Sequence, residues 1–363
     1  MRIGVDAHVL GGKRQGSRTW LLNILRAVDP ARTDLTWIIY SFDPAATAAL
    51  IDRPGTVHRR LPDSPAALRL TRHLPQAARR DRLDVLLTQY QAAVFCPCPQ
   101  AVVIHDVLFE SHPWMFPWAM RLRLQAGCRW SARRSRSVIT VSDYSRREIL
   151  ARYRVPADRL FVATNAPAPP PTPSPAQRAM VAGLGGFLLC VGRLEPRKNI
   201  GLALRASAGA RARGVKLVIV GERETWGPGL ALDDTGVVYL AQAEDGLLQA
   251  LYEAAIALVY PSLGEGFGLP VIEALRAGTP VLSSDATALP ETGGALARYF
   301  DPSSPDAEML LGALIDDAIA RPGRLHPGDV AAHLARFDWH RSARVLVEAL
   351  EATSGTNSFG RTR

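Results

Sequence analysis

Glu265 and Glu273 stand with seven residues between them in the stretch S-L-G-E-G-F-G-L-P-V-I-E at 262–273. Before it, Ile256-Ala257-Leu258-Val259-Tyr260 has the length and β-branched character of a buried strand; after it, Val271 to Ala277 has helical spacing. A strand, a glycine turn and a helix start are therefore expected. Gly264, Gly266 and Gly268 let the backbone approach a ligand or take positive φ, and the new helix offers free N–H groups to an anion. Both carboxylates would face one small volume at the carboxyl end of a strand, where open α/β sheets bind ligands. Taken singly, each glutamate has a structural explanation, because the helix macrodipole favours early acids and glycines commonly precede helices.

Two further groups could do chemistry. Arg193 and Lys198 follow the apolar run Phe187 to Val191 and Gly192, just before a helical stretch from Ile200. A guanidinium and an ammonium beside a helix N-terminus suit a multiply charged phosphate; a solvated basic turn is the competing reading. His105 ends the run Ala101-Val102-Val103-Ile104-His105-Asp106, read as a strand. There a neutral imidazole can donate to and accept from a ligand's hydroxyls or meet a developing charge, although a lone histidine is more often structural.

The elements that must position these groups alternate. Strands are expected at Arg2 to Asp6, Leu35 to Tyr40, Asp84 to Thr88, Ser137 to Ser142 and Arg159 to Thr164, with helical stretches such as Ser64 to Arg80 between them. Ser142 or Asp143 is a candidate N-cap. Strand and helix in turn imply a parallel sheet. The proline run from Pro167 to Pro175 can be neither helix interior nor central strand and marks a domain boundary. Beyond it the alternation restarts with Phe187 to Gly192, Val215 to Gly221 and Gly236 to Leu240. Three segments are expected: 1–170, 171–335, and a closing helix at 336–363 whose last residues, from Asn357, read as a loose tail.

Composition sets the class. A chain of 363 residues with 47% apolar and 21% charged residues can build two cores, and disorder is not expected. The opening residues read as a strand rather than a leader, and no apolar run reaches the length of a membrane span, so a cytoplasmic protein is expected. Cys96, Cys98, Cys128 and Cys190 lack paired C-x2-C spacing and are expected as reduced thiols. Residues 1–170 hold 25 Lys and Arg against 13 Asp and Glu, a net of +12, while the remainder is net −3. The excess is densest where Arg121, Arg123, Arg129, Arg133, Arg134 and Arg136 mix with Trp114, Trp118 and Trp130. That mixture suits an anionic membrane, a phospholipid-linked acceptor or nucleic acid, against the plain reading of solvated helix faces.

The stretch E-G-F-G-L-P-V-I-E-A, with Glu265 and Glu273, resembles the E-x7-E motif of retaining GT-B glycosyltransferases (family 4, group 1). G-R-x-x-x-x-K-N at 192–199 resembles their diphosphate clamp, H-D at 105–106 their histidine element, and 142–148 their V-S-x-x-S-x-x-E pattern. The segments at 280–284, 288–291 and 337–343 are similar as well, so the resemblance spans nearly the whole chain. Two positions depart from the family. Q-G-S-R at 15–18 replaces the usual G-x-G-R, and Asn165-Ala166 replaces Asn-Gly before the linker.

The resemblance implies two Rossmann-like domains facing across a cleft, with the C-terminal helix returning to the first. It implies sugar transfer from a nucleoside diphosphate sugar, UDP- or GDP-linked, to an acceptor hydroxyl with retained configuration, no resident cofactor and no metal. Arg193, Lys198 and the turn Gly266-Phe267-Gly268-Leu269 would hold the diphosphate, and Glu273 the ribose. Glu265 and His105 would meet the sugar, Gly16 the donor or acceptor from its loop, and the loop at 240–242 the base. A lipid-linked or oligosaccharide acceptor in envelope or exopolysaccharide assembly is expected, with possible contact between the first domain and the inner membrane face and no nucleic acid. A sugar-nucleotide epimerase of the same fold and a non-catalytic membrane- or nucleic-acid-binding protein are the alternatives.

Overall fold

The structure, a computed structural model, describes all residues except 13–14, 225–228, 231, 233 and 356–363. The expected tail from Asn357 and two residues of the first glycine loop lie outside the described residues. Internal contacts divide the chain into two units: Met1–Asn165 together with the chain from Asp338 onward, and Ala166–Phe337. The proline run thus falls at the start of the second unit, where the Ala168 carbonyl accepts from the Arg276 guanidinium.

The first unit is built on seven parallel strands: β1 Arg2–Asp6, β2 Thr36–Ser41, β3 Thr56–Arg60, β4 Val85–Gln89, β5 Gln100–Val103, β6 Ser137–Thr140 and β7 Leu160–Val162. Their order is β3-β2-β1-β4-β5-β6-β7. Burial on both faces explains why the central strands are continuous apolar runs rather than alternating ones; β4 is buried from end to end. Two expectations need correction. The strand before His105 ends at Val103, which places His105 and Asp106 in the loop beyond it. The helical stretch expected at 64–80 starts only at Ala66 and runs unbroken to Arg80, widening to a π-turn at Arg69–His73. Pro75 has no N–H for the carbonyl one turn back, and the wider turn absorbs the missing bond.

The helix Trp339–Ser354 completes this unit. Its buried residues Trp339, Ala343, Leu346, Val347 and Leu350 recur at three- and four-residue spacing and form one apolar stripe. Asp338 caps it by accepting from the His340 N–H at 2.8 Å. Polar ties fix its register: Ser342 Oγ donates to the Thr164 carbonyl at 2.8 Å, and Ser137 Oγ to the Ala349 carbonyl at 3.0 Å.

The second unit repeats the plan with β8 Phe187–Val191, β9 Lys216–Val220, β10 Val237–Leu240, β11 Ala257–Tyr260, β12 Val281–Ser284 and β13 Ala297–Phe300. These parallel strands take the order β10-β9-β8-β11-β12-β13. Along β8, Leu188 and Cys190 join one core cluster while Phe187 and Leu189 join the other, which is the period of two that a sandwiched strand requires. The strand order reverses between β8 and β11, and the crevice beyond their carboxyl ends is the expected place for a ligand.

Candidate active site

The two loops leaving β8 and β11 are bonded to each other. The Arg197 carbonyl accepts from the Leu263 N–H at 2.7 Å and from Ser262 Oγ at 3.1 Å. This contact sets Lys198 against Glu265, with Nζ 2.6 Å from Oε1. Tyr260, the last residue of β11, stands beside the pair: Lys198 Nζ donates to its hydroxyl at 2.8 Å, and that hydroxyl donates to Glu265 Oε1 at 3.0 Å. Ser262 Oγ donates to the same oxygen at 2.5 Å, and Arg197 Nη1 to Oε2 at 2.6 Å. Thr287 holds the Glu265 backbone, accepting from its N–H at 2.8 Å and donating to its carbonyl at 3.0 Å.

Glu265 is 6% exposed and Lys198 8%. Burial alone would raise the Glu265 pKa, but Arg197 and Lys198, with the bonds from Lys198 and Ser262, outweigh it and hold the carboxyl at about 2. Burial lowers the Lys198 pKa, against the pull of Glu265. The pair is therefore an ionised carboxylate between two cations. Gly192 makes room for it, because a Cβ there would lie 3.1 Å from Lys198 Cε, and its φ of +148° already favours glycine.

Past Glu265 the chain enters the helix Leu269–Arg276, with Gly268 as N-cap at φ +104°. A side chain on Gly268 would stand 2.7 Å from Leu289 Cδ2, so both conformation and space call for glycine. Phe267 is buried, its carbonyl accepts from Thr292 Oγ1 at 2.5 Å, and its ring meets Phe337 edge-on. These contacts hold the turn so that Leu269, at the first helical position, carries an N–H with no acceptor inside the helix.

Glu273 lies on the same helix and accepts from the Tyr252 hydroxyl at 2.9 Å. Burial raises its pKa, partly offset by Tyr252 and Arg276. Arg193 pairs with Glu224 at 2.9 Å and Glu195 at 3.8 Å. Of the residues singled out in this unit, then, the structure joins Lys198 directly to Glu265, while Arg193 and Glu273 have partners of their own. The sequence reading missed Arg197, Tyr260, Ser262 and Thr287. Arg197 stood inside the clamp motif at an unspecified position, and a Tyr ending a strand was the signal for Tyr260.

In the first unit, Gly16 is exposed at the first position of the helix Gly16–Arg26, after Gln15 as N-cap. His105 is buried, its Nε2 2.8 Å from Gln89 Oε1. Trp20 of that helix meets the imidazole edge-on, and Tyr90 tilts against it. Burial takes the His105 pKa down to about 3, so the ring is neutral throughout the physiological range.

Among the described residues, no group of three or more His, Cys, Asp or Glu is arranged to hold a metal ion. Cys96 and Cys98 have sulfurs 3.5 Å apart and, with buried Cys128 and Cys190, are free thiols. No described helix is long and apolar enough to cross a membrane.

Two family models match the chain: Glycosyltransferase Family 4 over residues 14–166 and Glycosyl transferases group 1 over 186–314. An O-antigen chain mannosyltransferase B of Escherichia coli is 32% identical over 241 residues, 59% of this chain and 61% of that protein, so the match spans less than two thirds of the relative. The O-antigen chain mannosyltransferase RfbU of Salmonella typhimurium is 29% identical over 68% of each chain. The fold is similar to that of HepE from Anabaena, crystallised with UDP and glucose, with a TM-score of 0.70, 18% identity, and coverage of 96% of this chain and 99% of that one. With a family 4 domain followed by a group 1 domain, each built on a parallel sheet, the chain belongs to the GT-B glycosyltransferases.

Proposed function

We propose that the protein transfers a sugar from a nucleoside diphosphate sugar, UDP- or GDP-linked, to an acceptor hydroxyl with retention at the anomeric carbon and without a metal. The observation that carries this reading is the Lys198–Glu265 pair, flanked by Arg197 and a helix N-terminus at the carboxyl ends of β8 and β11. A departing diphosphate gains negative charge, and preorganised donors aimed at it act most strongly where water is excluded. Lys198 has three N–H donors and spends two on Tyr260 and Glu265, which leaves one for phosphate. Arg193, Gly266, Phe267, Gly268 and Leu269 supply the remaining cradle. Glu273 accepts from the ribose, Glu265 meets positive character on the sugar ring, and His105 and Gly16 act from the first unit. The names of the E. coli and Salmonella relatives support a mannosyl donor and a lipid-linked or oligosaccharide acceptor in envelope polysaccharide assembly.

The test is thermal stabilisation and slow donor hydrolysis across UDP-, GDP- and dTDP-sugars, with and without EDTA. One preferred nucleotide and EDTA-insensitive turnover are expected. Silence across the panel would favour the non-catalytic alternative, and an altered sugar nucleotide without transfer would favour the epimerase.

A peripheral membrane contact at the cytoplasmic face belongs to the same proposal. The helix Trp118–Arg134 exposes Trp118, Leu122 and Trp130 at 71%, 50% and 39%, with Trp114 just before it at 63%. Arg123, Arg133 and Arg134 share its exposed side, while Arg129 is neutralised by Glu110 at 2.6 Å. Apolar rings beside cations suit an anionic bilayer surface. Cosedimentation with phosphatidylglycerol vesicles but not phosphatidylcholine vesicles is expected at low salt. Loss of it in Trp118→Ala/Arg133→Glu is also expected, and no sedimentation of wild type retires the contact.

A further inference from the structure

Gln89 is the last residue of β4 and is 6% exposed. Its amide oxygen lies 2.8 Å from His105 Nε2, while its amide nitrogen is buried without a hydrogen-bond partner. The next residue, Tyr90, takes φ +58°, a left-handed conformation unusual for a bulky side chain. Its N–H donates to the Val103 carbonyl at 2.7 Å, and the Gln91 N–H donates back to the Gln89 carbonyl at 2.6 Å. This strained turn fixes the end of β4 against β5, and Gln89 with it. The imidazole is then held on three sides: Gln89 in plane, Trp20 edge-on at 5.6 Å between centroids, and Tyr90 tilted at 5.5 Å. Trp20 is itself anchored, its indole N–H donating to the Ala163 carbonyl at 2.9 Å.

We infer that Gln89 is a positioning residue that locks His105 as the Nε2–H tautomer, leaving the Nδ1 lone pair as the ring's open position for a substrate hydroxyl. A carbonyl oxygen can only accept, so the Gln89 contact demands a proton on Nε2, and a neutral ring then has none on Nδ1. Among the described residues, no hydrogen-bond partner is found for Nδ1. The groups packed on the ring are Gln89 and Tyr90 from the end of β4 and Trp20 from the helix Gly16–Arg26, with Thr140 Oγ1 3.4 Å from the His105 carbonyl. Tyr90 is the titratable group in ring contact, and Asp106 follows in the chain. The histidine is thereby a hydrogen-bond acceptor in the reaction and not a proton carrier. This deepens the proposed transfer reading, on which the substrate contact rests.

The experiment uses protein labelled with 15N in its histidines. His105 is assigned by loss of its signals in His105→Gln, and long-range 1H–15N spectra are recorded over about pH 5–8, the range in which histidine ordinarily titrates. Wild type is expected to show one tautomer, protonated at Nε2, with no titration. Gln89→Leu is expected to mix the tautomers and to lower kcat/KM by roughly 10- to 100-fold, the usual cost of losing an orienting partner. Gln89→Glu sets a carboxylate on Nε2, so the ring is expected to become imidazolium within that range, and kcat/KM to gain a limb at the same pH. Gln89→Asn, shorter but still an amide, guards against a folding defect and is expected to act like the leucine variant while keeping the wild-type Tm. Unchanged His105 spectra and pH profiles in the glutamate and asparagine variants would overturn the assignment. A locked tautomer in a protein that turns over no donor would instead overturn the transferase reading alone, since the spectra need no substrate.

Discussion

Replacing Glu265 with Gln keeps the shape of the side chain and removes the charge that lies between Lys198 and Arg197. With the carboxyl moved from an ordinary 4.5 to about 2, its ionisation contributes about 3 kcal/mol of stability at neutral pH. Leaving two close cations beside a neutral amide is costly in the same range, about 3–5 kcal/mol when one partner of a buried pair is removed. For a unit of this length each kcal/mol shifts Tm by roughly 2–4 °C, so a fall of about 6–20 °C is expected at neutral pH. The sign in acid is fixed. The contribution is complete above the unfolded value of 4.5 and disappears as pH falls through about 2, so the gap between wild type and variant closes in that window. Scanning fluorimetry at neutral pH and in acid reads the gap directly. Adding UDP or GDP supplies a second test, because a bound diphosphate gives the two cations a new partner, and the variant is then expected to gain more Tm than wild type. A neutral-pH Tm within about 2 °C of wild type, below even the shift of 1 kcal/mol, would refute the reasoning.

Glu273→Gln is expected to behave oppositely. Its carboxyl is raised by burial, so ionising it destabilises the fold as pH rises above the ordinary carboxylate value; the variant should match or exceed wild-type Tm at neutral pH while KM for the donor rises. Gly221→Ala places a Cβ 2.1 Å from the Gly192 carbonyl oxygen at a φ of +153°, which forces apart the ends of β8 and β9; chemical denaturation should show a loss of about 1–3 kcal/mol or more. Lys198→Ala should lower kcat by about 100-fold or more, and a loss of only a few-fold would remove Lys198 from the leaving-group site.

The strands that frame the site are legible because they are buried on both faces, so β8, β9 and β11 read as unbroken apolar runs. Thr56–Arg60 and Ala297–Phe300 escaped the reading. Each closes one edge of its sheet: Thr56–Arg60 is largely exposed and holds one apolar side chain beside His58 and two arginines, and Ala297–Phe300 is four residues long with Arg298 breaking its apolar run. The glycine turn and its two glutamates were visible as spacing. What spacing could not show is which side chains converge: Arg197, Tyr260, Ser262 and Thr287 reach Glu265 from the loop after β8, the end of β11, the turn itself and beyond β12, and a turn between a strand and a helix carries no periodicity to reveal it. The shortened strand before His105 has a comparable cause. Ile104 is apolar and buried, yet its N–H donates to Ile139 just past the last paired residue of β5, so composition could not mark where pairing stops.

The helix Trp339–Ser354 also sets an order of events during synthesis. It covers β4 to β7, but the whole second unit is translated before it. At ordinary elongation rates, the growing chain carries that sheet uncovered for about ten seconds or more. For that interval the newborn first unit presents an apolar surface wanting a helix, and a chaperone or a premature neighbour can occupy the place until the helix Trp339–Ser354 arrives.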